Sequence, residues 1–143
     1  MTQYKQLPRE EFPTFVEMPT RWMDNDVYGH INNVIYYSFF DTAVNRALIE
    51  LDLLDYNKSE IIGLVVETSC TYHKPINFPD IIEAAFIIDK LGNSSIKYNI
   101  GLFKKGESEP CATGYFVHVY VDRKTRKSVR LPDSFREKIR NLT

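Results

Sequence analysis

Asp24, Asp26, His30, Asn32 and Asn33 fall within ten positions of one another, in Thr20-Arg21-Trp22-Met23-Asp24-Asn25-Asp26-Val27-Tyr28-Gly29-His30-Ile31-Asn32-Asn33. Carboxylates, an imidazole and two amides this close can move protons or attack a carbonyl. Their position adds to this, because an unusually apolar helix begins where the stretch ends. A helix start exposes unpaired backbone N–H groups and a partial positive charge, which together suit developing negative charge. A carboxylate beside such a start could attack a carbonyl held on those N–H groups, or activate water to attack it. The chemistry expected is hydrolysis of an ester-type or thioester-type bond.

The elements that must hold these residues follow from the period of the apolar positions. Thr14 to Trp22 reads as a first strand, confined to an edge or broken by Pro19. Gly29 turns the chain at an angle other residues resist. Asn32 or Asn33 can cap the helix by accepting one of its orphan N–H groups. The helix is expected to run to about Leu51, with Tyr36, Phe40, Ala43, Ala47 and Leu51 on one face. Val34, Ile35, Tyr37 and Phe39 make its first half apolar nearly all round, which predicts burial on most sides. At 1.5 Å per residue it spans ~28 Å. From Ile61 the period changes to two. Ile61 to His73, Ile81 to Leu91, Ser94 to Lys104 and Pro110 to Asp122 read as four long strands in an antiparallel meander. Residues 1–13 are a loose lead-in, Leu51 to Glu60 a connecting loop, and residues 132–143 a short helix capped by Asp133 or Ser134. The class expected is α+β, one domain over 1–143, with a curved antiparallel sheet wrapped around one helix. A single sheet leaves two edges and an outer face, so pairing with a second subunit is expected.

Composition narrows the function. The chain has 143 residues, 43% hydrophobic and 26% charged, the balance of a soluble globular protein. Its net charge of −1 gives no reason to expect nucleic acid or an anionic membrane as partner. No apolar run is long enough for membrane insertion and the first residues carry no signal-peptide core, so the location expected is cytoplasmic. Cys70 and Cys111 lie in strand-like runs and read as reduced core residues. There is no G-x-S-x-G, phosphate-binding loop or dinucleotide fingerprint.

Asp24-Asn25-Asp26-Val27-Tyr28-Gly29-His30-Ile31-Asn32-Asn33-Val34-Ile35-Tyr36 resembles the D-x-D-x-x-G-H-x-N-N-x-x-Y signature of hotdog-fold thioesterases. The 4-hydroxybenzoyl-CoA thioesterase-like branch is the nearest, including the acyl-CoA thioesterases associated with the Tol–Pal system. The resemblance continues in Val65-Val66-Glu67-Thr68, in Tyr72-His73-Lys74-Pro75-Ile76 before Asp80, and in Val119-Tyr120-Val121-Asp122 with Leu131-Pro132. It implies a five-stranded hotdog fold, a homodimer or homotetramer with sites between subunits, and an acyl-CoA or other acyl thioester as substrate. It implies no metal and no bound cofactor, CoA being part of the substrate. The second carboxylate of D-x-D, here Asp26, is then catalytic as nucleophile or base, and a main-chain N–H at or next to Asn33 holds the thioester oxygen. One departure is at position 41, where Asp41-Thr42-Ala43-Val44 stands in place of an E-x-A-R run.

Each candidate has a plainer reading. Asp26 could be a turn aspartate bonding local backbone. Asp24 reads as a solvent-facing or Arg21-paired carboxylate. His30 could orient the thioester or protonate the leaving thiolate, or simply pack at the helix start. Asp41, two turns into the helix, is a second possible carboxylate, or else a buried or interface one. Tyr28, Asp41, Glu67 and Lys74 are candidates for substrate contact, while Glu67 could equally lie on the sheet's outer side. His73 and His118 read as structural, and three lone histidines at these spacings make no metal site. Two rivals to hydrolysis remain: a hydratase or dehydratase on enoyl thioesters, with His30 and Asp26 as a dyad, and a non-catalytic acyl-CoA-binding protein.

Overall fold

The computed structural model describes residues 7–55 and 58–143. The long helix, α1, runs Asn33–Glu50. Asn32 is its cap: the Asn32 side-chain oxygen accepts the Val34 N–H at 3.0 Å. This satisfies one orphan donor of the first turn. Tyr36, Phe39, Phe40, Ala43, Val44, Ala47 and Leu48 are buried along one broad face. Burial is less complete than the apolar pattern suggests, because Val34 is 72% exposed and Ser38 and Asp41 face water. One side of the first half of the helix is open in the single chain.

Five strands form one sheet: β1 Thr14–Pro19, β2 Ile61–Tyr72, β3 Ile81–Leu91, β4 Ser95–Lys104 and β5 Ala112–Asp122. Their order is β1-β3-β4-β5-β2 and every pairing is antiparallel. Together with α1 this is the hotdog arrangement. β1 is an edge strand and ends at Pro19 rather than Trp22, because Trp22–Asp24 turn into a short 3-10 helix.

The expected four-strand meander is corrected. β3, β4 and β5 do form one, but β2 pairs with β5 and not with β3. A hairpin needs a tight turn. Residues 73–80 instead cross the end of the sheet, with Ile76 fully buried under the crossing. His73 and Lys74 donate their N–H groups to the Cys111 carbonyl, and Ile31 donates to that of Ile76 at 2.8 Å. β2 is left as the other edge.

The sheet's inner side buries α1 against Phe86, Tyr98, Ile100, Leu102 and Phe116. Gly114 is what lets Phe40 reach the sheet, since a Cβ there would run into the Ser69 carbonyl and stand 2.9 Å from the Phe40 ring. On the outer side Phe12, Ala85 and Phe103 form a second, smaller cluster. Arg9 lies over the Phe15 and Phe103 rings at 4.6 and 5.1 Å and pairs with Glu83 at 2.8 Å. The expected loose lead-in is therefore held from Arg9 onward, and its first six residues lie outside the described ones. The last helix, α2, runs Asp133–Lys138 from Pro132 with no side-chain cap, so Asp133 and Ser134 sit inside its first turn and do not cap it. Among the described residues no helix is long and apolar enough to cross a membrane.

Candidate active site

The motif folds as a tight loop leading into α1. The Asp26 N–H bonds the His30 carbonyl at 2.8 Å, and the Gly29 N–H bonds the Asp26 carbonyl at 3.1 Å. Gly29 holds φ +82 with nothing within 4 Å of where a Cβ would stand, so here glycine serves backbone angle and not space. Asn25 and Ile31 form an antiparallel bridge that closes the loop's base.

The two carboxylates of the motif separate by environment. Asp24 is 1% exposed, and its side chain accepts the Arg21 backbone N–H at 2.8 Å and the Arg21 guanidinium at 2.8 and 3.1 Å. The Asp24 carbonyl also accepts the Asn32 N–H at 2.9 Å. The Asp24 carboxylate is thus committed to Arg21, while its carbonyl ties the loop to the cap residue Asn32. Asp26 is only half-buried. One of its oxygens accepts the Tyr28 N–H at 2.8 Å, and the other has no partner among the described residues.

The Asn33 N–H opens α1 and likewise has no partner among the described residues. Asn33 lines a hollow of about 330 Å³ together with His30, Tyr36, Tyr72, His73 and Lys74. Asp26 does not line it, but its N–H bonds the carbonyl of His30, which does. The Tyr72 hydroxyl donates to the Asn33 carbonyl at 3.1 Å, and its ring meets Tyr36 edge-on at 4.8 Å. Burial pushes the Tyr36 phenol up to about 12. Tyr36 and Tyr72 thus give the hollow an aromatic, neutral side, with Lys74 the cation among its lining residues. Burial also pushes the nearby Cys70 thiol up to about 11, which removes it as a nucleophile.

His30 donates from Nδ1 to the Asn77 side-chain oxygen at 2.9 Å, which leaves Nε2 as the nitrogen able to exchange a proton. The ring is paired with Asn77 and not with Asp26, so the His–Asp dyad a hydratase needs is not formed. Lys74 is at the hollow but tied to Glu107 at 2.8 Å, and that hydrogen bond raises its pKa. The other candidates stand apart. Tyr28 is 81% exposed at the loop tip. Asp41 is on the open side of α1, held by the Asn45 amide at 3.1 Å. Glu67 pairs in register with Val117 and accepts the Tyr115 hydroxyl at 3.2 Å, on the side of the sheet away from α1. Tyr72 and Asn77 are the site residues that sequence reasoning missed. Tyr72 read only as part of a strand and of the Tyr72-His73-Lys74-Pro75-Ile76 run, and Asn77 lies outside the runs singled out in the sequence. Among the described residues no group of three His, Cys, Asp or Glu could hold a metal ion.

Residues 20–139 match the model of the thioesterase-like superfamily. The chain belongs to this superfamily. The crystal structure of the PA5185 protein from Pseudomonas aeruginosa is 48% identical, covers 95% of each chain and superposes with a TM-score of 0.92. The long-chain acyl-CoA thioesterase FadM of Escherichia coli is 25% identical over 118 residues, 82% of this chain and 89% of its own. Slr0204, a 1,4-dihydroxy-2-naphthoyl-CoA thioesterase from Synechocystis, superposes with a TM-score of 0.79 over 87% of this chain and 93% of its own, and at 16% identity this speaks to the fold alone. By family the chain is a thioester hydrolase.

Proposed function

We propose that this thioesterase hydrolyses acyl-CoA to a carboxylic acid and free CoA, with Asp26 as nucleophile or general base and the Asn33 N–H as oxyanion donor. One observation carries this: a carboxylate oxygen of Asp26 and the N–H of Asn33 are both without partners among the described residues, on a loop and helix start held by several backbone and side-chain hydrogen bonds. A thioester carbonyl held on the Asn33 N–H lies at the positive end of α1, where the charge that develops on its oxygen is stabilised. In one course Asp26 attacks the acyl carbon, the CoA thiolate leaves, and water opens the resulting mixed anhydride. In the other, Asp26 takes a proton from water as that water attacks. With its Nδ1–H bonded to Asn77, His30 can take a proton from water at Nε2 and pass it to the leaving thiolate. CoA as the thiol is supported by the motif's resemblance to the 4-hydroxybenzoyl-CoA branch and by the similarity to FadM, itself a long-chain acyl-CoA thioesterase.

The active unit in this proposal is at least a homodimer. β2 is a twelve-residue edge strand with Leu64, Val65 and Val66 exposed at 37, 45 and 60%. An apolar edge of that length is a template for pairing with a second copy.

The deciding experiment is free-thiol release from a panel of straight-chain and aromatic acyl-CoAs, with wild type and Asp26→Asn side by side. The variant is nearly isosteric but can neither attack as a carboxylate nor act as base. The expected outcome is turnover by wild type and a loss of ~10³-fold or more in the folded variant. Equal activity of the two proteins would remove Asp26 from the mechanism. Saturable binding without thiol release from any substrate would make the chain a binding protein instead.

A further inference from the structure

We infer that Tyr72 is a positioning residue for the oxyanion donor, fixing the first residue of α1 against the end of the edge strand; this rests on the hydrolase proposed above. Two kinds of bond surround Asn33. Asn32 caps the Val34 N–H at 3.0 Å and accepts the Ile35 N–H at 2.9 Å on its carbonyl, but both bonds lie inside the helix start and would travel with it. The Tyr72 hydroxyl, which donates to the Asn33 carbonyl at 3.1 Å, comes from another element.

Tyr72 is the last residue of β2 and pairs in register with buried Ala112, so its side chain is on the α1 side of the sheet. The edge-on contact with Tyr36 at 4.8 Å sets its ring, and the ring sets the hydroxyl. The residue whose N–H is open to substrate is thus gripped through its own carbonyl by a group standing in the same hollow. An oxyanion donor works by being aimed before the reaction, and small losses of aim cost rate more than binding. Removing only this hydroxyl keeps the ring, the Tyr36 contact and the shape of the hollow. The freed carbonyl is at an exposed residue and can take water in exchange.

The test is Tyr72→Phe, compared with wild type by steady-state kinetics on the acyl-CoA that wild type turns over fastest. Thermal unfolding and the Kd of a non-hydrolysable thioether analogue of that substrate are measured in parallel. The expected result is a kcat lower by about tenfold, less than for loss of a whole donor. KM and analogue Kd should stay within about twofold and the melting temperature should be unchanged. A merely structural tyrosine would lower the melting temperature, and a substrate contact would raise KM and Kd. Either pattern in place of an isolated fall in kcat overturns the role. An unchanged kcat in an otherwise active enzyme overturns it while leaving the hydrolase standing. A wild type that releases no thiol from any acyl-CoA removes both.

Discussion

Lowering the pH from about 7 to about 4 should cost this fold about 3 kcal/mol through one side chain, His118. His118 is on β5 at 2% exposure, with ring centroids of Tyr98, Phe116 and Tyr120 at 5.4, 6.1 and 6.2 Å. Among the described residues neither ring nitrogen has a hydrogen-bond partner. Burial drives its pKa down from 6.5 to about 4, and the charge of Asp41 offsets only part of that. The unfolded chain takes up the proton as pH falls through about 6.5, whereas the folded chain takes it up only near 4. Between those values the unfolded state binds more protons, so stability is complete above 6.5 and falls as pH falls. At ~1.36 kcal/mol per pH unit the gap is worth about 3 kcal/mol. The assay is urea unfolding of wild type and His118→Phe across this range. Surface carboxylates titrate alike in both proteins, so the difference between the two curves isolates the imidazole. Wild type should lose stability relative to the variant by about 3 kcal/mol on going to pH 4, with m-values unchanged. Two parallel curves would mean that His118 is not held neutral by burial, and the reasoning fails.

Two further outcomes test the elements around the site. Asn32→Ala removes the cap on the Val34 N–H and should cost ~1 kcal/mol in thermal unfolding, with a fall in kcat because the same turn presents Asn33; full stability in the variant would show that water caps the helix equally well. Val66→Lys places a charge at the exposed bulge of β2 and should shift a dimer toward monomer in sedimentation equilibrium while the circular dichroism stays that of wild type. A dimer as tight as wild type would mean that a different surface holds the copies together.

How much of the fold could be read in advance depended on how local each element is. α1 begins and ends within a residue of the span its apolar period and its Asn cap predict, because both signals lie inside the helix. The β3, β4 and β5 hairpins were equally legible, since Gly92 and Gly106 mark their turns. The place of β2 was not. Its sequence is as strand-like as the others, and nothing in residues 61–72 says that the partner is β5, about fifty positions on, and not its neighbour in the chain. That choice is made by the crossing at residues 73–80, which buries Ile76 and binds the motif loop through the Ile31 N–H. The lead-in was misjudged for a similar reason: Phe12 is an isolated ring in a polar run, and only the fold reveals the Ala85–Phe103 surface it covers.

The same division runs through the site and explains its construction. The residues that touch the reaction in the proposed mechanism, Asp26, His30 and Asn33, are neighbours in sequence, so spacing alone could pick them out. The residues that aim them come from elsewhere: Asn77 holds the His30 ring, Tyr72 holds the Asn33 carbonyl, and Ile76 holds Ile31 between them. All three lie in one segment, residues 72–77, which ends the edge strand and starts the crossing. A single segment therefore does two jobs that would otherwise be separate. It decides that β2 joins β5, leaving an apolar edge free for a second copy, and it fixes the loop and helix start where the thioester is proposed to sit. Pairing at the β2 edge would act on the strand whose last residue holds Asn33. The proposed dimer is thus expected to stabilise the aim of the oxyanion donor as well as to bury the edge.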